Sequence, residues 1–310
     1  MRVEYIKHPH PPMDLPPTVM ALGFFDGVHR GHQQVINTAK QEAKTRQLQS
    51  AVMTFYPHPK EVLRKQKGNI NYLSPIDEKI MLLEKTGIDI LLVVSFDARF
   101  SELSPQQFVD TYLIDLNVKH VVAGFDYSYG RLGKGTMETF PFHARHLLSH
   151  TTVPKLSEDN EKISSTVIRE ALDTGNMSKV NDYLGRVYAV EGVVEHGEKR
   201  GREIGFPTAN MNPDANKELP AIGVYIVTVI VDGTTFEGVC NIGFNPTFNN
   251  GKGKRTIEAH LFHFTKAIYG KKIKVAFLKR IRSEKAFNGV EELKERIQKD
   301  IDIARHYFST

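Results

Sequence analysis

Two histidines three residues apart could stabilise negative charge on a phosphate. His29 and His32 lie in the stretch 21–33, A-L-G-F-F-D-G-V-H-R-G-H-Q, which also holds three glycines. Alone, a His-x-x-His pair is more often two surface histidines. An apolar run precedes this stretch and an amphipathic helical pattern follows it, which predicts a strand, a glycine-rich turn and a helix N-terminus. Such a terminus offers free amides and a positive dipole end to anions, so we interpret the stretch as a phosphate site.

Three consecutive hydroxyl residues begin another predicted helix. The stretch 162–169, K-I-S-S-T-V-I-R, places Ser164, Ser165 and Thr166 just before Arg169. One hydroxyl is enough to cap a helix, and capping is the simpler interpretation of these residues alone. Several hydroxyl donors beside a fork-shaped guanidinium also suit a leaving pyrophosphate. Beside the histidine stretch, we favour the second interpretation.

Two further loops follow predicted strands. The stretch 124–130, G-F-D-Y-S-Y-G, holds Asp126 between aromatic residues, and the stretch 54–59, T-F-Y-P-H-P, follows another apolar run. Alone, each is better explained as a packed loop, with His58 in a structural role. Because ligands of parallel sheets bind at the carboxyl ends of the strands, we expect these loops to gather beside the histidine stretch.

Two segments of the second half could serve transfer of a phosphoryl group. In the stretch 205–210, G-F-P-T-A-N, Thr208 and Asn210 share a face of an extended chain, and their oxygens could hold Mg²⁺ together with phosphates. Glu258 alternates with apolar residues, so it could simply face water or act as a general base for an alcohol. A Walker A motif is absent from the sequence, since the glycine-rich stretch 130–136 fails its spacing.

Composition limits the class of protein. The chain has 310 residues, 40% hydrophobic and 25% charged, which is typical of a soluble protein of two domains. Its one cysteine, Cys240, excludes an internal disulfide and a cysteine-cluster metal site. There is no signal-peptide pattern and no apolar run near the ~18 residues of a membrane span, so we expect a cytoplasmic protein without a membrane partner.

The net charge of +5 and the pI of about 9.0 suit anionic ligands. Basic residues are dispersed except in the stretches 252–255 and 271–274. Since nucleic-acid motifs are also missing from the sequence, we do not expect a nucleic-acid partner. The oligomeric state stays open.

The order of predicted elements indicates two fold types. Apolar runs at 51–55, 88–96 and 118–123 alternate with helical patterns at 77–85 and 104–116, which predicts a parallel, Rossmann-like α/β domain. After residue 184 predicted strands follow one another, which indicates an antiparallel β-barrel or sandwich ending in a helix at 290–307. These strands are predicted at 187–195, 223–231, 236–242, 257–264 and 273–278. We place the domain boundary at 184/185, giving domains 1–184 and 185–310.

These motifs resemble two enzyme families. The first half resembles the FAD synthetase branch of the nucleotidylyltransferase superfamily, in F-D-G-V-H-R-G-H, I-S-S-T-V-I-R and, more loosely, G-F-D-Y-S-Y-G. It departs from that branch at Tyr56, where an acidic residue is usual. The second half resembles the flavokinase (riboflavin kinase) domain, in G-x-x-x-G-F-P-T-A-N, N-x-G-x-x-P-T-F and E-x-H-L-x-x-F.

The resemblance implies a role for each candidate residue. In the first domain His29 and His32 would be catalytic, and Asp126 and Tyr127 would contact flavin and nucleotide. Its further ATP contacts would be Gly23, Phe24, Asp26, Gly31, Ser165, Thr166 and Arg169. In the second domain Glu258 would be the catalytic base. ATP there would contact Gly201, Gly205, Pro207, Thr208 and Asn210, with Mg²⁺ on the oxygens of the last two.

The resulting hypothesis is a bifunctional enzyme. The barrel would phosphorylate riboflavin to FMN with ATP, and the α/β domain would adenylylate FMN to FAD and release pyrophosphate. Two alternatives stay open from the sequence. The chain could be a monofunctional nucleotidylyltransferase for another substrate, or a catalytically inactive regulator that binds flavin or RNA.

Overall fold

The computed structural model describes residues 1–63, 70–158, 160–197, 201, 204–245, 254–285, 287 and 289–310, apart from the side chains of Asn245 and Lys254. The chain packs as two compact units, Met1–Ser165 and Thr166–Thr310. Several predicted features lie outside the described residues: the basic loop residues 198–200 and 202–203, the P-T-F segment 246–248 and part of the basic stretch 252–255.

A parallel sheet forms the centre of the first unit, in the order β1-β4-β3-β2-β5-β8. Its strands are β1 (Arg2–Ile6), β2 (Thr18–Leu22), β3 (Gln49–Tyr56), β4 (Ile90–Ser95), β5 (Val118–Gly124) and, after the short pair β6 (Ser128–Tyr129) and β7 (Gly135–Thr136), β8 (Ser149–Val153). A second short pair follows, β9 (Ser157–Glu158) with β10 (Glu161–Lys162).

Helices cover this sheet on both faces. They are α1 (Arg30–Arg46), α2 (Pro59–Leu63), α3 (Ile76–Glu84), α4 (Ala98–Ser101), α5 (Pro105–Val109) and α6 (Phe140–Ala144). Alternate residues of β2 pack into different cores, Met20 and Leu22 on one side and Val19 and Ala21 on the other. This burial on both faces explains why the central strands read as continuous apolar runs.

The helix predicted at 104–116 is shorter in the structure. Ser104 caps α5 by a reciprocal capping box with Gln107. The α-helix ends at Val109, and one π-helical turn, Asp110–Ile114, continues it.

The second unit is a closed antiparallel barrel preceded by two helices. Its elements are α7 (Ser165–Thr174), which begins at the last residue of the first unit, α8 (Met177–Leu184), β11 (Tyr188–Glu195), β12 (Ala209–Pro213), β13 (Gly223–Val231), β14 (Thr234–Asn245), β15 (Lys254–Leu261), β16 (Lys272–Arg282) and α9 (Val290–Ser309). The ring order is β11-β12-β15-β14-β13-β16. The structure confirms the predicted Rossmann-like domain, the antiparallel barrel and the C-terminal helix.

Helix α9 packs on the barrel through Ile301 and Ala304, as its periodicity predicts. Asp300, 2% exposed, fixes it further by accepting hydrogen bonds from the guanidinium of Arg282 on β16. The side-chain amide of Asn181 on α8 donates to the Phe277 carbonyl of β16 at 2.9 Å. Helix α8 therefore contacts the barrel, within the second compact unit. The predicted domain boundary at 184/185 stays a prediction.

Among the described residues, there is no helix with the length and apolar character needed to cross a membrane.

Candidate functional site

The histidine stretch forms a turn from the buried strand β2 to the N-terminus of α1. His29, 5% exposed, is the N-cap, and its Nδ1 accepts a hydrogen bond from the His32 backbone N–H at 3.2 Å. An accepting Nδ1 carries no proton, so the ring hydrogen of a neutral His29 lies on Nε2. Gly27, at φ +83°, occupies the left-handed region that lets the chain turn here.

The two imidazoles are stacked, with ring centroids 3.5 Å apart and ring planes at 20°. Gly31 permits this arrangement, because a Cβ there would lie 3.2 Å from the His29 ring. Burial first, and then the charges of His29, Lys79 and Lys162, hold the pKa of His32 well below its usual range. The buried Nδ1 of His32 has no hydrogen-bond partner among the described residues. The turn therefore presents a neutral imidazole with an unused polar atom, which a ligand could satisfy.

Asp26 braces this turn. The carboxylate is 3% exposed and accepts the backbone N–H groups of Leu73 and Ser74 at 3.2 and 3.0 Å. Its backbone carbonyl accepts a hydrogen bond from the hydroxyl of Ser165, the last residue of the same unit, at 2.9 Å. Asp26 does not line the cavity described below.

Lys79 of α3 lies beneath the same turn and was missed by sequence reasoning. The side chain is fully buried, and Nζ donates to the Phe24 carbonyl at 2.9 Å and to Thr54 Oγ1 at 3.3 Å. Burial lowers its pKa from an ordinary 10.5 to about 8, against an opposing attraction from Asp26. A signal was present in the sequence, because Lys79 falls on the apolar stripe of the helix, three residues after Ile76 and four before Leu83.

A cavity of about 550 Å³ opens beside the histidines, within the usual size range of ligand sites. Several predicted site residues line it: Gly23, Phe24, His29, Gly31, His32, Asp126, Tyr127 and Ser165. The rest of the lining is largely apolar and includes Phe55, Phe96, Phe100, Phe108 and Tyr129. Residues from all three predicted loops meet here, at the carboxyl ends of parallel strands.

Asp126 lies in an exposed loop at this cavity, and its carboxylate forms an ion pair with Lys162. The same ammonium lies 4.8 Å from the centroid of the Phe125 ring. Burial, followed by the neighbouring Tyr129, raises the pKa of Tyr127, so that phenol stays neutral. Tyr127 and Lys162 both line the cavity, so its wall offers a neutral phenol and a cation.

Thr166 and Arg169 follow Ser165 in α7 and belong to the second compact unit. Thr166 is exposed and Arg169 is half-buried.

The barrel brings three polar residues into one row. Glu258 on β15 is paired with Asn210 on β12 and, on its other side, with Asn241 on β14. Directly paired residues on antiparallel strands point to the same face, about 5 Å apart. The neighbours Ile257 and Ala259 are fully buried, so the half-buried Glu258 lies on the opposite, outer face. Asn241 was missed as a partner, because its register with Glu258 depends on strands that are distant in sequence.

Residues 204–208, called the strap below, directly precede β12 and the row of polar residues. The Phe206 N–H donates to the Gly201 carbonyl at 2.8 Å, and Gly205 has φ +92°. The Pro207 carbonyl lies 2.8 Å from His260 Nδ1, which must donate because a carbonyl only accepts.

Two glycines leave room for the polar side chains of this site. A Cβ on Gly201 would lie 2.5 Å from the Phe206 carbonyl oxygen and 3.3 Å from Thr208 Oγ1. A Cβ on Gly197 would lie 2.2 Å from the Asn210 amide. A side chain at either position would displace Thr208 or Asn210, so this geometry requires glycine at both positions.

Comparison with known proteins accounts for nearly the whole chain. The family model of FAD synthetase matches residues 12–167, and that of riboflavin kinase matches residues 184–308. A bifunctional riboflavin kinase/FMN adenylyltransferase of Bacillus subtilis (strain 168) is 48% identical over 312 residues, which cover 100% of this chain and 99% of that protein.

Further relatives agree. Proteins of the same name from Listeria monocytogenes and Escherichia coli (strain K12) are 46% and 36% identical, and each match covers 94% of this chain and 92% of the relative. A crystal structure described as a macrolide-efflux protein from Streptococcus pneumoniae is 32% identical, with a TM-score of 0.91 over 98% of this chain and 99% of that one. The chain therefore belongs to the family of bifunctional riboflavin kinase/FMN adenylyltransferases.

Proposed function

We propose that the barrel phosphorylates riboflavin to FMN and that the histidine turn adenylylates FMN to FAD, with ATP as donor in both reactions. Family membership supports both activities. One observation carries the assignment of the sites in the first unit: a stacked pair of imidazoles at a helix N-terminus, with His29 buried and His32 half-buried, lines a cavity whose other lining is largely apolar and includes several aromatic rings. A cavity that combines imidazoles with apolar and aromatic side chains suits a molecule that joins phosphates to a flat ring system.

Adenylyl transfer needs no protein nucleophile. A phosphate oxygen of FMN attacks the α-phosphorus of ATP, the new O–P bond forms, and the bond to the pyrophosphate oxygen breaks. The enzyme contributes position and stabilisation of charge on the phosphate oxygens. His29 and His32 donate to the α-phosphate from the α1 terminus, and backbone at Gly23, Phe24 and Gly31 lies along the same phosphates.

The leaving pyrophosphate is assigned to the start of α7. Thr166 and Arg169 supply a hydroxyl and a guanidinium, by resemblance to the family motif. The Ser165 hydroxyl donates to the Asp26 carbonyl, so it must rotate to donate to a phosphate. Asp26 itself is assigned to bracing the turn, because its buried carboxylate would repel an anion. Asp126 and Tyr127 are assigned to the flavin and nucleotide side of the cavity.

Phosphoryl transfer in the barrel uses Glu258 as the general base. The carboxylate accepts the proton of the riboflavin 5′-hydroxyl while that oxygen bonds to the γ-phosphorus of ATP, and ADP leaves with the electrons of the broken bond. Asn210 and Asn241 flank Glu258 on the two neighbouring strands, where their amides are placed to orient the carboxylate. Backbone of Gly201, and of the strap at Gly205 and Pro207, is assigned to the ATP phosphates.

Thr208 and Asn210 fit a role as Mg²⁺ ligands. Mg²⁺ prefers oxygen donors and usually takes few of them from the protein when phosphates are present. These residues supply neutral oxygens two positions apart, and the missing side chains of Gly201 and Gly197 leave room beside them. Bound there, Mg²⁺ would neutralise negative charge on the ATP phosphates.

The remaining assignments follow the family and the composition. The two activities divide at 184/185, so α7 and α8 serve the first. The protein is cytoplasmic, acts on small molecules without a nucleic-acid or membrane partner, and has dispersed basic residues that attract anionic substrates.

Incubation with riboflavin, ATP and Mg²⁺, followed by chromatography of the flavins, tests both activities. We expect FMN and then FAD, and loss of both when a chelator removes the metal. Failure to make FMN refutes the kinase assignment, and FMN that accumulates without FAD refutes the adenylyltransferase assignment. Supplied FMN that stays unchanged although the protein binds flavin would identify the inactive regulator instead.

A further inference from the structure

Lys79 is a buried cation without a close counter-ion. Its side chain is 0% exposed, and among the described residues no carboxylate oxygen lies within ion-pair distance of its Nζ. Burying an ammonium costs several kcal/mol unless the site compensates for it. An apolar residue would satisfy the core of α3 at lower cost. The charge itself therefore requires an explanation.

The ammonium of Lys79 contacts the phosphate-binding turn and the neighbouring strand β3. One hydrogen bond goes to the Phe24 carbonyl, and a second goes to Thr54 Oγ1. The ammonium also lies 4.2 Å from the centroid of the Phe24 ring, a cation–π contact. The Thr54 hydroxyl donates to the same Phe24 carbonyl at 2.8 Å. Two buried donors thus hold this carbonyl toward the protein interior.

The orientation of the Phe24 carbonyl affects how well the turn can bind an anion. Phe24 lies between β2 and the α1 N-terminus, where a carbonyl oxygen turned toward the ligand would repel a phosphate. Lys79 also adds a positive charge beneath the turn. With His29 and Lys162, that charge lowers the pKa of His32 after the larger effect of burial. Lys79 does not line the cavity, so it acts through its neighbours.

We propose that Lys79 is a positioning residue for adenylyl transfer, which fixes the Phe24 carbonyl away from the phosphates and supplies fixed positive charge beneath the α-phosphate. The inference rests on the proposed function of the histidine turn. Two variants separate its two roles: Lys79→Met keeps most of the side-chain length but removes the charge and the donors, whereas Lys79→Gln removes the charge and keeps an N–H donor for the carbonyl. Lys85→Met is the matched control, because Lys85 is exposed at the end of the same helix.

The first readout is the pKa of His32, followed by ¹⁵N NMR of the ring and assigned by comparison with His32→Gln. Both Lys79 variants should raise this pKa toward that of ordinary histidine, since they remove a nearby positive charge. Lys85→Met should leave it unchanged. If the His32 pKa is unchanged in both Lys79 variants, the proposal that Lys79 supplies positive charge to the turn is wrong.

The second readout is steady-state FAD formation from FMN. Lys79→Met should lower kcat about tenfold or more with little change in KM for FMN, and Lys79→Gln should recover part of that loss. FMN synthesis from riboflavin by the same samples should stay within about twofold, since it uses the barrel. Unchanged FAD formation in both variants, or an equal loss of both activities in a chain that retains its His32 signal, overturns the positioning role.

If the proposed adenylyltransferase function is wrong, the experiment gives a result that differs from failure of the Lys79 proposal. In that case the wild-type chain makes no FAD, yet the His32 titration still decides whether Lys79 acts on the turn. If Lys79→Met does not fold, Lys79→Gln decides both readouts.

Discussion

Replacing Lys79 by methionine should stabilise the first unit at neutral pH while it weakens adenylyl transfer. The pKa of the ammonium falls on folding from an ordinary 10.5 to about 8. At about 1.4 kcal/mol per pH unit, this corresponds to a cost of about 3 kcal/mol when the group is charged in both states. Methionine removes that cost and loses two hydrogen bonds worth about 1 kcal/mol each. Since Thr54 still satisfies the Phe24 carbonyl, we expect a net gain of about 1–2 kcal/mol at pH 7.

The pH dependence gives the sharper prediction. Between pH 8 and 10.5 the unfolded wild-type chain binds more protons at this lysine than the folded chain does. Wild-type stability from this group therefore rises with pH in that window and is lowest below pH 8. About 2 kcal/mol of the cost should be relieved by pH 9.5. Lys79→Met has no such group, so its advantage over wild type should shrink by that amount.

Differential scanning calorimetry at pH 7 and pH 9.5 measures this difference. For a unit of this size, about 2 kcal/mol corresponds to about 5 °C in Tm. The exposed Lys85→Met control should show no comparable pH-dependent difference. If Lys79→Met is less stable than wild type at pH 7, or if the difference in Tm is the same at both pH values, then Lys79 is not buried as a costly charge and the reasoning is wrong.

Substitutions at three further positions test the two sites. Glu258→Gln should lower FMN synthesis about 100-fold or more and leave conversion of supplied FMN to FAD intact; flavin chromatography showing loss of both activities in folded protein would contradict two independent sites. His29→Ala should do the reverse, with FAD formation reduced about 100-fold and FMN synthesis retained; normal FAD formation would exclude its role. His260→Asn can keep the hydrogen bond to the Pro207 carbonyl through its amide, whereas His260→Gln places its donor elsewhere. Only His260→Gln should therefore raise KM for ATP in FMN synthesis several-fold, and equal KM values would remove His260 as the support of the strap.

Features encoded by neighbouring residues could be predicted from the sequence. The turn after β2 and the start of α7 each have their strand, glycine or hydroxyl pattern within about a dozen residues. The hairpin β13–β14 has its turn at Asp232 and Gly233, and its register follows from that turn. In these cases the local pattern and the tertiary fold agree.

Features that depend on residues far apart in the chain could not be predicted from the sequence. The strand β12, A-N-M-N-P, is short and ends in proline, so its pattern alone is too weak to predict a barrel strand. The pairing of Glu258 with Asn241 depends on the register of β14 and β15. Likewise, the bond from Ser165 to the Asp26 carbonyl joins residues 139 positions apart. Lys79 was not among the candidate residues, because lysine is almost never buried.

The row formed by Asn210, Glu258 and Asn241 has a consequence for how the second activity can be gained or lost. Each member comes from a different strand of a ring without a first or last strand. A shift of one residue along β15 would turn Glu258 inward and Ile257 outward. The three side chains meet only after the strands have paired in the correct register. A barrel that is only partly assembled should therefore have no kinase site at all, instead of a site of lower activity. Phosphorylation of riboflavin would therefore report barrel closure, and a truncated or misregistered chain should be inactive rather than slow.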